Sequence, residues 1–159
     1  MFPNKMNSIN FSCRTFKKLS KIQLYRILQL RAEVFVVEQN CPYQDLDEFD
    51  FEALHICGYR REELIAYSRI LKPDTKFLGS SIGRIVTKRP IRNSGVGKLL
   101  IKKSIEQCIV HWQEHNIFIS AQERLKTFYM NLGFEVISES YLEDGIPHIE
   151  MLLKTNLIK

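Results

Sequence analysis

The chain has 159 residues, of which 45% are hydrophobic and 26% are charged, a composition typical of a globular protein with a substantial core. No apolar run approaches the roughly 18 residues that span a bilayer, and the N-terminus lacks the apolar core of a signal peptide. We therefore expect a cytoplasmic protein of one domain, residues 1–159, with no membrane partner. The four cysteines lie far apart without a C-x-x-C pair, so we expect free thiols and no metal site.

The formal net charge of +5 is compatible with either a nucleic acid or a polyphosphate ligand. Basic side chains cluster between Lys88 and Lys103, whereas acidic side chains form a block from Asp45 to Glu52. A nucleic-acid surface more often combines a continuous basic face with exposed aromatic side chains, and this sequence shows no such interleaving. We therefore expect no nucleic-acid partner.

Hydrophobic periodicity and turn residues predict a mixed α/β arrangement. After a loose tail at 1–7, the predicted elements in chain order are a strand at Ile9–Phe16, a helix from Ser20 to about Val37, strands at Leu54–Tyr59 and Leu64–Leu71, a strand at Ser81–Thr87, a helix from Ser94 to about His115, a strand at Ile117–Ala121, a helix at Arg124–Leu132, and a strand pair at Phe134–Ser140 and His148–Leu153. Ser20 with Gln23 predicts a capping box, Asn116 is expected to close the second helix, and Gly133 predicts a left-handed helix end. We expect the acidic block to be an exposed loop.

The junction between Thr87 and the following helix has the composition of a phosphate site. Gly95 and Gly97 open the helix, where main-chain N–H groups are unpaired and the helix dipole is positive. Glycine also lets a bulky anion approach the main chain closely. The stretch has neither the G-x-x-x-x-G-K-[ST] loop nor the third glycine of a dinucleotide fingerprint, which excludes those two sites. The alternative is an ordinary helix start.

Two segments resemble the cofactor motifs of the GNAT N-acetyltransferase superfamily. Arg92-x-x-Gly95-x-Gly97 after a strand matches the acyl-CoA pyrophosphate motif, and Gln122 to Phe134 is similar to the second cofactor segment, which ends in Tyr-x-x-x-Gly-Phe. From about residue 20 to Met151 the chain resembles the ElaA-type subfamily. The segments that carry this resemblance include Leu30-Arg31-x-x-Val34-Phe35-Val36-Val37-Glu38-Gln39, Cys41-Pro42-Tyr43-x-Asp45-x-Asp47, Ala66-Tyr67-x-Arg69, Ile82-Gly83-Arg84 and Glu143-Asp144-Gly145-Ile146-Pro147-His148.

The resemblance implies a GNAT fold, which is a central twisted mixed β-sheet flanked by helices. It also implies acetyl-CoA as cofactor and direct acetyl transfer, in a ternary complex, to a small-molecule or peptide amine. Two alternatives stay open: a CoA-binding sensor without turnover, and an acyltransferase like the acyl-homoserine lactone synthases, which share a Leu-Arg-x-x-Val-Phe-like start. The protein would be a monomer or a homodimer.

The resemblance further implies which residues meet the cofactor. Main-chain groups of the 92–98 turn would bind the CoA pyrophosphate, and those of 85–87 would bind the pantetheine arm. The implied cofactor-binding residues are Ile85, Val86, Thr87, Arg92, Asn93, Ser94, Gly95, Val96, Gly97, Lys98, Gln122, Phe128 and Tyr129. The Val86 N–H would stabilise the oxyanion, and Tyr129 would act as general acid toward the leaving thiolate.

The residue that removes the amine proton is not identified by the sequence. The strand before the pyrophosphate turn begins Gly79-Ser80-Ser81-Ile82 and offers no acid. The candidates for the base are Glu38, His55, His148 and Glu150, of which Glu38 and His148 are selected as base or acceptor-site residues. Arg69 and Arg84 point partly inward by strand alternation and are candidates for binding an acceptor carboxylate.

Overall fold

The computed structural model describes residues 8–155, so the tail expected at 1–7 lies outside the described part of the chain. The strands are β1 (Ile9–Thr15), β2 (Leu54–Arg60), β3 (Glu63–Leu71), β4 (Ser80–Thr87), β5 (Asn116–Gln122), β6 (Glu135–Val136), β7 (Tyr141–Glu143) and β8 (Ile146–Lys154). The helices are α1 (Lys21–Arg31), which continues as a π-helix (Ala32–Glu38), α2 (Val96–Trp112) and α3 (Lys126–Met130). Among these helices none is long and apolar enough to cross a membrane.

The strands form one mixed sheet in the order β1-β2-β3-β4-β5-β8-β6, and β7 also pairs with β8. Every neighbouring pair is antiparallel except β4 and β5, which are parallel. That parallel pair is joined only at Ser80 with Ile117 and at Ser81 with Phe118. Beyond these two positions the strands separate, which leaves the facing edges of 82–87 and 119–122 open to a ligand.

The two long helices cover opposite faces of the sheet. Ala66 packs in the cluster that contains α2 residues such as Leu100, whereas its neighbour Tyr67 packs with Ile27 and Leu30 of α1. Successive residues of a strand point to opposite faces, so each helix has a face of its own. The start of α2 therefore lies at the carboxyl end of β4, beside the place where β4 leaves β5.

Local sequence rules correctly predicted several helix ends. The Ser20 side chain accepts from the Gln23 main chain, and the Gln23 side chain accepts from the Ser20 main chain, which confirms the capping box. Gly133 has the expected left-handed conformation, with φ +95. The second helix, however, ends earlier than predicted, because Gln113 adopts φ 51 and so takes the role assigned to Asn116.

Other boundaries differ because side chains and longer-range hydrogen bonds compete with regular structure. The first helix changes to π geometry after Arg31, where Gln39 N–H reaches the Val34 carbonyl. The predicted helix at 124–132 is a 3₁₀ turn at Glu123–Leu125 followed by the short α3. The predicted strand at 134–140 shrinks to β6, because the Ser138 hydroxyl accepts the Glu150 N–H in place of a main-chain carbonyl.

The prediction of an exposed acidic loop is wrong for two of its aspartates. Asp45 and Asp50 are 6% and 7% exposed. Both accept hydrogen bonds at 2.8 Å from Arg31, whose own side chain is fully buried. These two aspartates are therefore packed into the protein as counter-charges of a buried arginine, and Asp50 lies in a 3₁₀ turn at Phe49–Phe51.

Candidate active site

A cavity of about 510 Å³ lies where β4 and β5 separate, and it brings the two predicted cofactor segments together. The predicted cofactor residues that line it are Ile85, Val86, Thr87, Arg92, Asn93, Gly95, Gly97, Lys98, Gln122, Phe128 and Tyr129. Ser94 and Val96 do not line it, since the Ser94 hydroxyl donates to the Ile91 carbonyl and the Val96 side chain is buried in the core. Their main-chain groups remain part of the same turn.

The turn before α2 has the features of an anion-binding site. Gly95 is the N-cap residue with φ +85, a conformation that favours glycine, and a Cβ built there would meet only open space. A Cβ built at Gly97 would lie 3.6 Å from the Phe128 ring, so the two cofactor segments touch. No side chain caps this helix start, and its first N–H groups are therefore available to a ligand. These residues fit the pyrophosphate of an acyl-CoA.

Arg92 connects the turn before α2 to the end of β4 and to the end of the π-helix. Its Nε and Nη2 donate to the Thr87 carbonyl at 3.3 and 3.2 Å, and its guanidinium also pairs with Glu38 at the end of the π-helix. The hydrogen bond from Arg92 lowers the pKa of Glu38 against the opposing influence of burial, and the charges of Arg92, Arg89 and Arg124 add to the lowering. Glu38 is thus a carboxylate engaged with a cation, which makes it a weaker base than an ordinary glutamate.

The hydrogen-bond register of β4 contradicts the expected role of Val86. The Lys88 N–H donates to the Ile65 carbonyl, and Ala66 faces Thr87 while Tyr67 faces Val86. In an antiparallel ladder this register directs the Val86 N–H to the Tyr67 carbonyl, away from β5. Val86 is therefore wrong as the oxyanion donor. The N–H groups of Ile85 and Thr87 face the open edge of β4 instead.

A β-bulge produces this arrangement. The β3–β4 register shifts between Tyr67 and Arg69, so that Arg84 and Ile85 together oppose Ser68. Arg84 has φ 51, which is rare for a residue other than glycine. The bulge interrupts pairing beside the cavity and turns the main chain of Ile85 toward the open edge.

Tyr129 lies in α3 on the opposite side of the cavity. It is 4% exposed, and its ring packs edge-on against Phe128 at 5.1 Å and Phe134 at 5.9 Å. Among residues 8–155 its hydroxyl has no hydrogen-bond partner, although it belongs to the cavity lining. Burial raises the pKa of the Tyr129 phenol, with Arg124 opposing, so the group is a neutral O–H donor at physiological pH.

The predicted base candidates occupy different places. His148 and Gln122 face each other across β8 and β5, and both line the cavity. His148 Nδ1 lies 2.8 Å from the Ile146 carbonyl, so Nδ1 carries the proton and Nε2 is left as an acceptor.

His55 and Glu150 do not line the cavity. His55 is 1% exposed, with its two ring nitrogens bonded to the Tyr67 hydroxyl and the Asp50 carbonyl.

Gln122 joins the second cofactor segment to the end of the π-helix. Its Nε2 donates to Gln39 Oε1 at 3.1 Å, and its Oε1 accepts from Arg124 Nε at 2.9 Å. Both contacts hold the side-chain amide at the cavity wall next to Tyr129. An amide ligand in the cavity can therefore be matched by an amide that is already oriented.

The wall beyond the bulge is formed by buried charges. Arg69 is 2% exposed and binds both carboxylate oxygens of Asp47, and Arg84 pairs with Asp45 at 2.7 Å and with Asp47 at 3.2 Å. These arginines are already neutralised, which weakens the hypothesis that they bind an acceptor carboxylate. Lys76 and Phe77 also line the cavity, from the turn before β4, and no motif in the sequence singles them out. The Phe77 ring stacks on the Phe118 ring of β5, with ring centroids 5.1 Å apart.

An unpaired strand edge beside a helix N-terminus suits a ligand that has an anionic head and a long amide-bearing arm, and such a cavity defines an acyl-CoA-dependent acyltransferase. The family model described as an acetyltransferase (GNAT) domain matches residues 23–155, and the chain belongs to this family. It is 47% identical over 136 residues to protein ElaA of Escherichia coli K12, a match that covers 84% of this chain and 89% of ElaA.

Solved structures agree with this assignment. The crystal structure of Escherichia coli ElaA has a TM-score of 0.86 at 43% identity, covering 92% of this chain and all of that one. An acyl-CoA N-acyltransferase from Pseudomonas aeruginosa also has a TM-score of 0.86, at 38% identity, covering 92% of this chain and 99% of that one. The predicted GNAT fold, with its central mixed sheet flanked by helices, is confirmed, and the chain is an acyltransferase.

The acyl-homoserine lactone synthases have the same fold. One of them, the CoA-dependent enzyme BjaI, has a TM-score of 0.76 at 13% identity, covering 94% of this chain and 85% of that one. Identity at this level shows a common architecture and nothing about the substrate.

Proposed function

We propose that this chain is an acetyl-CoA-dependent N-acetyltransferase that passes the acetyl group directly to an amine, of a small molecule or a peptide, in a ternary complex. The observation that supports it best is the position of Tyr129, which lines the same cavity as the open edge of β4 and the Gly95 turn and whose hydroxyl has no hydrogen-bond partner among residues 8–155. Acyl-CoA, when bound, supplies the thioester and the acyl group.

Direct transfer is favoured by the state of the cavity cysteine. Cys41 is 8% exposed, and its thiol donates to the Asp144 carbonyl at 3.4 Å. A thiol held as a hydrogen-bond donor is not the thiolate that covalent catalysis requires. An amine that attacks the thioester itself avoids that requirement.

The main chain of β4 would orient the donor. The pyrophosphate belongs at the Gly95 turn, so the pantetheine arm runs along the open edge from Thr87 toward Ile85. Ile85 is farther from the turn, and its N–H therefore replaces that of Val86 as the donor to the thioester oxygen, where negative charge develops. Thr87 N–H is left for the arm.

Two side chains would move the protons. The acceptor attacks as the neutral amine, after its ammonium form has released one proton to water; His148 Nε2 accepts the second proton, directly or through water, as the amine nitrogen bonds to the carbonyl carbon. Tyr129 gives its hydroxyl proton to the sulfur as the carbon–sulfur bond breaks. The proton gained at His148 and the proton lost at Tyr129 leave the protein with its original total charge.

Ligand-linked stability tests the cofactor assignment. At acetyl-CoA concentrations near 100 times its Kd, linkage adds about 2.7 kcal/mol, equivalent to a rise in Tm of roughly 5–10 °C for a chain of this size. ATP and NADH are the matched controls, since each carries phosphates without a pantetheine arm. No rise with acetyl-CoA would refute the proposal.

Thiol release across a panel of amines then tests turnover. Acetyl-CoA should release free CoA thiol in an amine-dependent manner, and longer acyl-CoA donors should be slower. Binding of acetyl-CoA without thiol release from any amine would identify a CoA sensor instead. Release that occurs in two separable half-reactions would contradict the ternary complex.

A further inference from the structure

Six buried or partly buried side chains beside the cavity form a closed ring of ion pairs. Arg31 pairs with Asp45 and Asp50, Arg69 with Asp50 and Asp47, and Arg84 with Asp47 and Asp45. Every arginine contacts two carboxylates, and every carboxylate contacts two arginines. The ring is therefore electrically neutral, and its formal charges require nothing further.

Lys76 is an additional cation next to this neutral ring. Its Nζ lies 3.8 Å from Asp47 Oδ2, which is too long for a hydrogen bond, and Asp47 is already shared by Arg69 and Arg84. The ammonium lies over the Phe49 ring at 4.8 Å, and the side chain is 37% exposed. Lys76 thus brings one unmatched positive charge to the cavity wall.

The lowered pKa of Lys76 is consistent with an ammonium group that lacks a close anionic partner. Burial lowers its pKa, and repulsion from Arg69 and Arg84 lowers it further, while Asp47 and Glu143 oppose the shift. A partly buried ammonium with this balance is stabilised when an anion binds beside it.

Two acidic residues also line the cavity. Glu143 ends β7 and Asp144 lies in the turn that follows it, and both belong to the cavity lining. Glu143 accepts from the Ser120 hydroxyl at 2.8 Å, and the Cys41 thiol donates to the Asp144 carbonyl, which tethers this turn to both neighbours. Within residues 8–155 neither carboxylate forms an ion pair with Lys76, although the charge of Glu143 acts on the Lys76 ammonium.

We propose that Lys76 binds a carboxylate of the acceptor, so that the substrate is a free amino acid or another small amine that carries a carboxylate. The inference rests on the proposed function, and it names the substrate class of that site. Lys76 provides one unmatched charge, which corresponds to a carboxylate rather than to the near-dianionic phosphate. The amine of the same molecule then lies toward Glu143 and His148, on the side of the cavity that holds Tyr129.

The test compares amino acids with their own carboxamides, which keep the amine and remove only the negative charge. The panel is the common α-amino acids, β-alanine and 4-aminobutyrate, each with its amide, and phosphoethanolamine as the phosphate counterpart. For wild-type protein we expect at least one acid to have a kcat/KM tenfold or more above that of its amide. Its binding to the CoA-loaded protein, measured by calorimetry, should show the same preference.

Variants of Lys76 assign that preference to the lysine. Lys76→Met should raise KM for the preferred acid roughly tenfold or more while leaving its amide within about twofold, and Lys76→Arg should recover most of the loss. Lys72→Met is the control, because Lys72 is 58% exposed in the same turn and pairs with Glu52 outside the cavity. Lys76 is not a member of the ring, so folding of both variants is expected and is checked by their Tm.

Each outcome decides one of the two claims. Equal values for acids and amides, a preference for phosphoethanolamine, or an equal loss for acid and amide in Lys76→Met would overturn the role of Lys76 in binding a carboxylate. Calorimetric binding of acids that depends on Lys76, without thiol release, would uphold the site and refute the acetyltransferase. Turnover without any preference for acids over amides would uphold the acetyltransferase and refute the carboxylate site at Lys76.

Discussion

Replacing Tyr129 by phenylalanine removes one hydroxyl group and keeps the ring. The ring contacts with Phe128 at 5.1 Å and Phe134 at 5.9 Å do not need the oxygen. The hydroxyl has no hydrogen-bond partner within residues 8–155, so the substitution breaks no protein hydrogen bond. We therefore expect the free energy of unfolding to change by no more than about 0.5 kcal/mol.

The effect on turnover should be much larger. A phenol of ordinary pKa near 10 gives its proton to a thiolate of pKa near 8.5 uphill by about 2 kcal/mol, and burial raises the pKa of Tyr129 further. Proton transfer therefore occurs only as the carbon–sulfur bond breaks, where a positioned acid contributes roughly 10²–10⁴-fold. Tyr129→Phe should lower kcat by about 10²-fold or more and leave the affinity for acetyl-CoA nearly unchanged.

Thiol release at saturating acetyl-CoA measures kcat, and urea unfolding of the same preparation measures stability. Tyr25→Phe is the matched control, because Tyr25 is 66% exposed on α1 and outside the cavity lining. The acid form of Tyr129 exists below its raised pKa, so its contribution should persist through neutral pH and disappear only on the alkaline side. A kcat within threefold of wild type, or a loss of stability above about 2 kcal/mol, would refute the role of general acid.

Three further predictions concern the buried charges and the proton acceptor. Arg31→Met should lower the free energy of unfolding, measured in urea, by about 3–5 kcal/mol, because it leaves Asp45 and Asp50 each without one of their ion-pair partners. Arg26→Met, at an exposed position of the same helix, is the control and should cost under about 0.5 kcal/mol. Burial raises the pKa of Asp50, but the hydrogen bond from Arg31 and the charge of Arg31 outweigh burial and hold the pKa below the ordinary 3.8. The resulting stabilisation is present above pH 3.8 and is lost as pH falls through the lower folded-state pKa. Asp50→Asn should therefore reduce the loss of unfolding free energy at acid pH, and an unchanged acid dependence would contradict the assignment. His148→Gln should lower kcat by about 10²-fold, whereas Glu38→Gln should alter the KM for acetyl-CoA and leave kcat within about threefold. The opposite result in thiol-release kinetics would return the role of base to Glu38.

Local chemistry in the sequence was enough to place most elements and to select two segments that line the half of the cavity proposed to bind the donor. A capping box, a left-handed glycine and a strand–turn–helix junction each act within a few residues, so their outcome does not depend on the rest of the fold. The contact between Gly97 and Phe128 shows that the two segments on which the resemblance depends meet in space. The sequence predicted both segments without predicting their distance.

The acceptor half depends on contacts that no local pattern reports. Arg31, Arg69 and Arg84 come from one helix and two strands, and their three carboxylates come from a single loop. Strand alternation indicated that arginines point inward, but it carries no information about what neutralises them. For this reason the acidic block was mistaken for an exposed loop, and Lys76 could not be distinguished from an ordinary turn lysine.

The failed prediction for Val86 has a related cause. A period of two fixes which side chains share a face, but the partner of each N–H depends on register, and register depends on bulges. The bulge here needs Arg84 at φ 51, a conformation that costs about 1–2 kcal/mol for a residue with a side chain. The ion pairs of Arg84 with Asp45 and Asp47 are available to offset that cost.

The ring of ion pairs thereby connects the two halves of the cavity. It holds Arg84 in the bulge, the bulge directs the Ile85 N–H to the open edge, and that edge is where the thioester is proposed to lie. The same ring leaves Lys76 as the unmatched charge on the acceptor wall. A substitution at Arg31 removes a ring member that touches neither ligand, yet the loss extends to Arg84 through Asp45. In an Arg31 variant, the affinity for acetyl-CoA and the preference for a carboxylate should therefore weaken together. If each half of the cavity were held by separate contacts, a substitution at Arg31 would not weaken both.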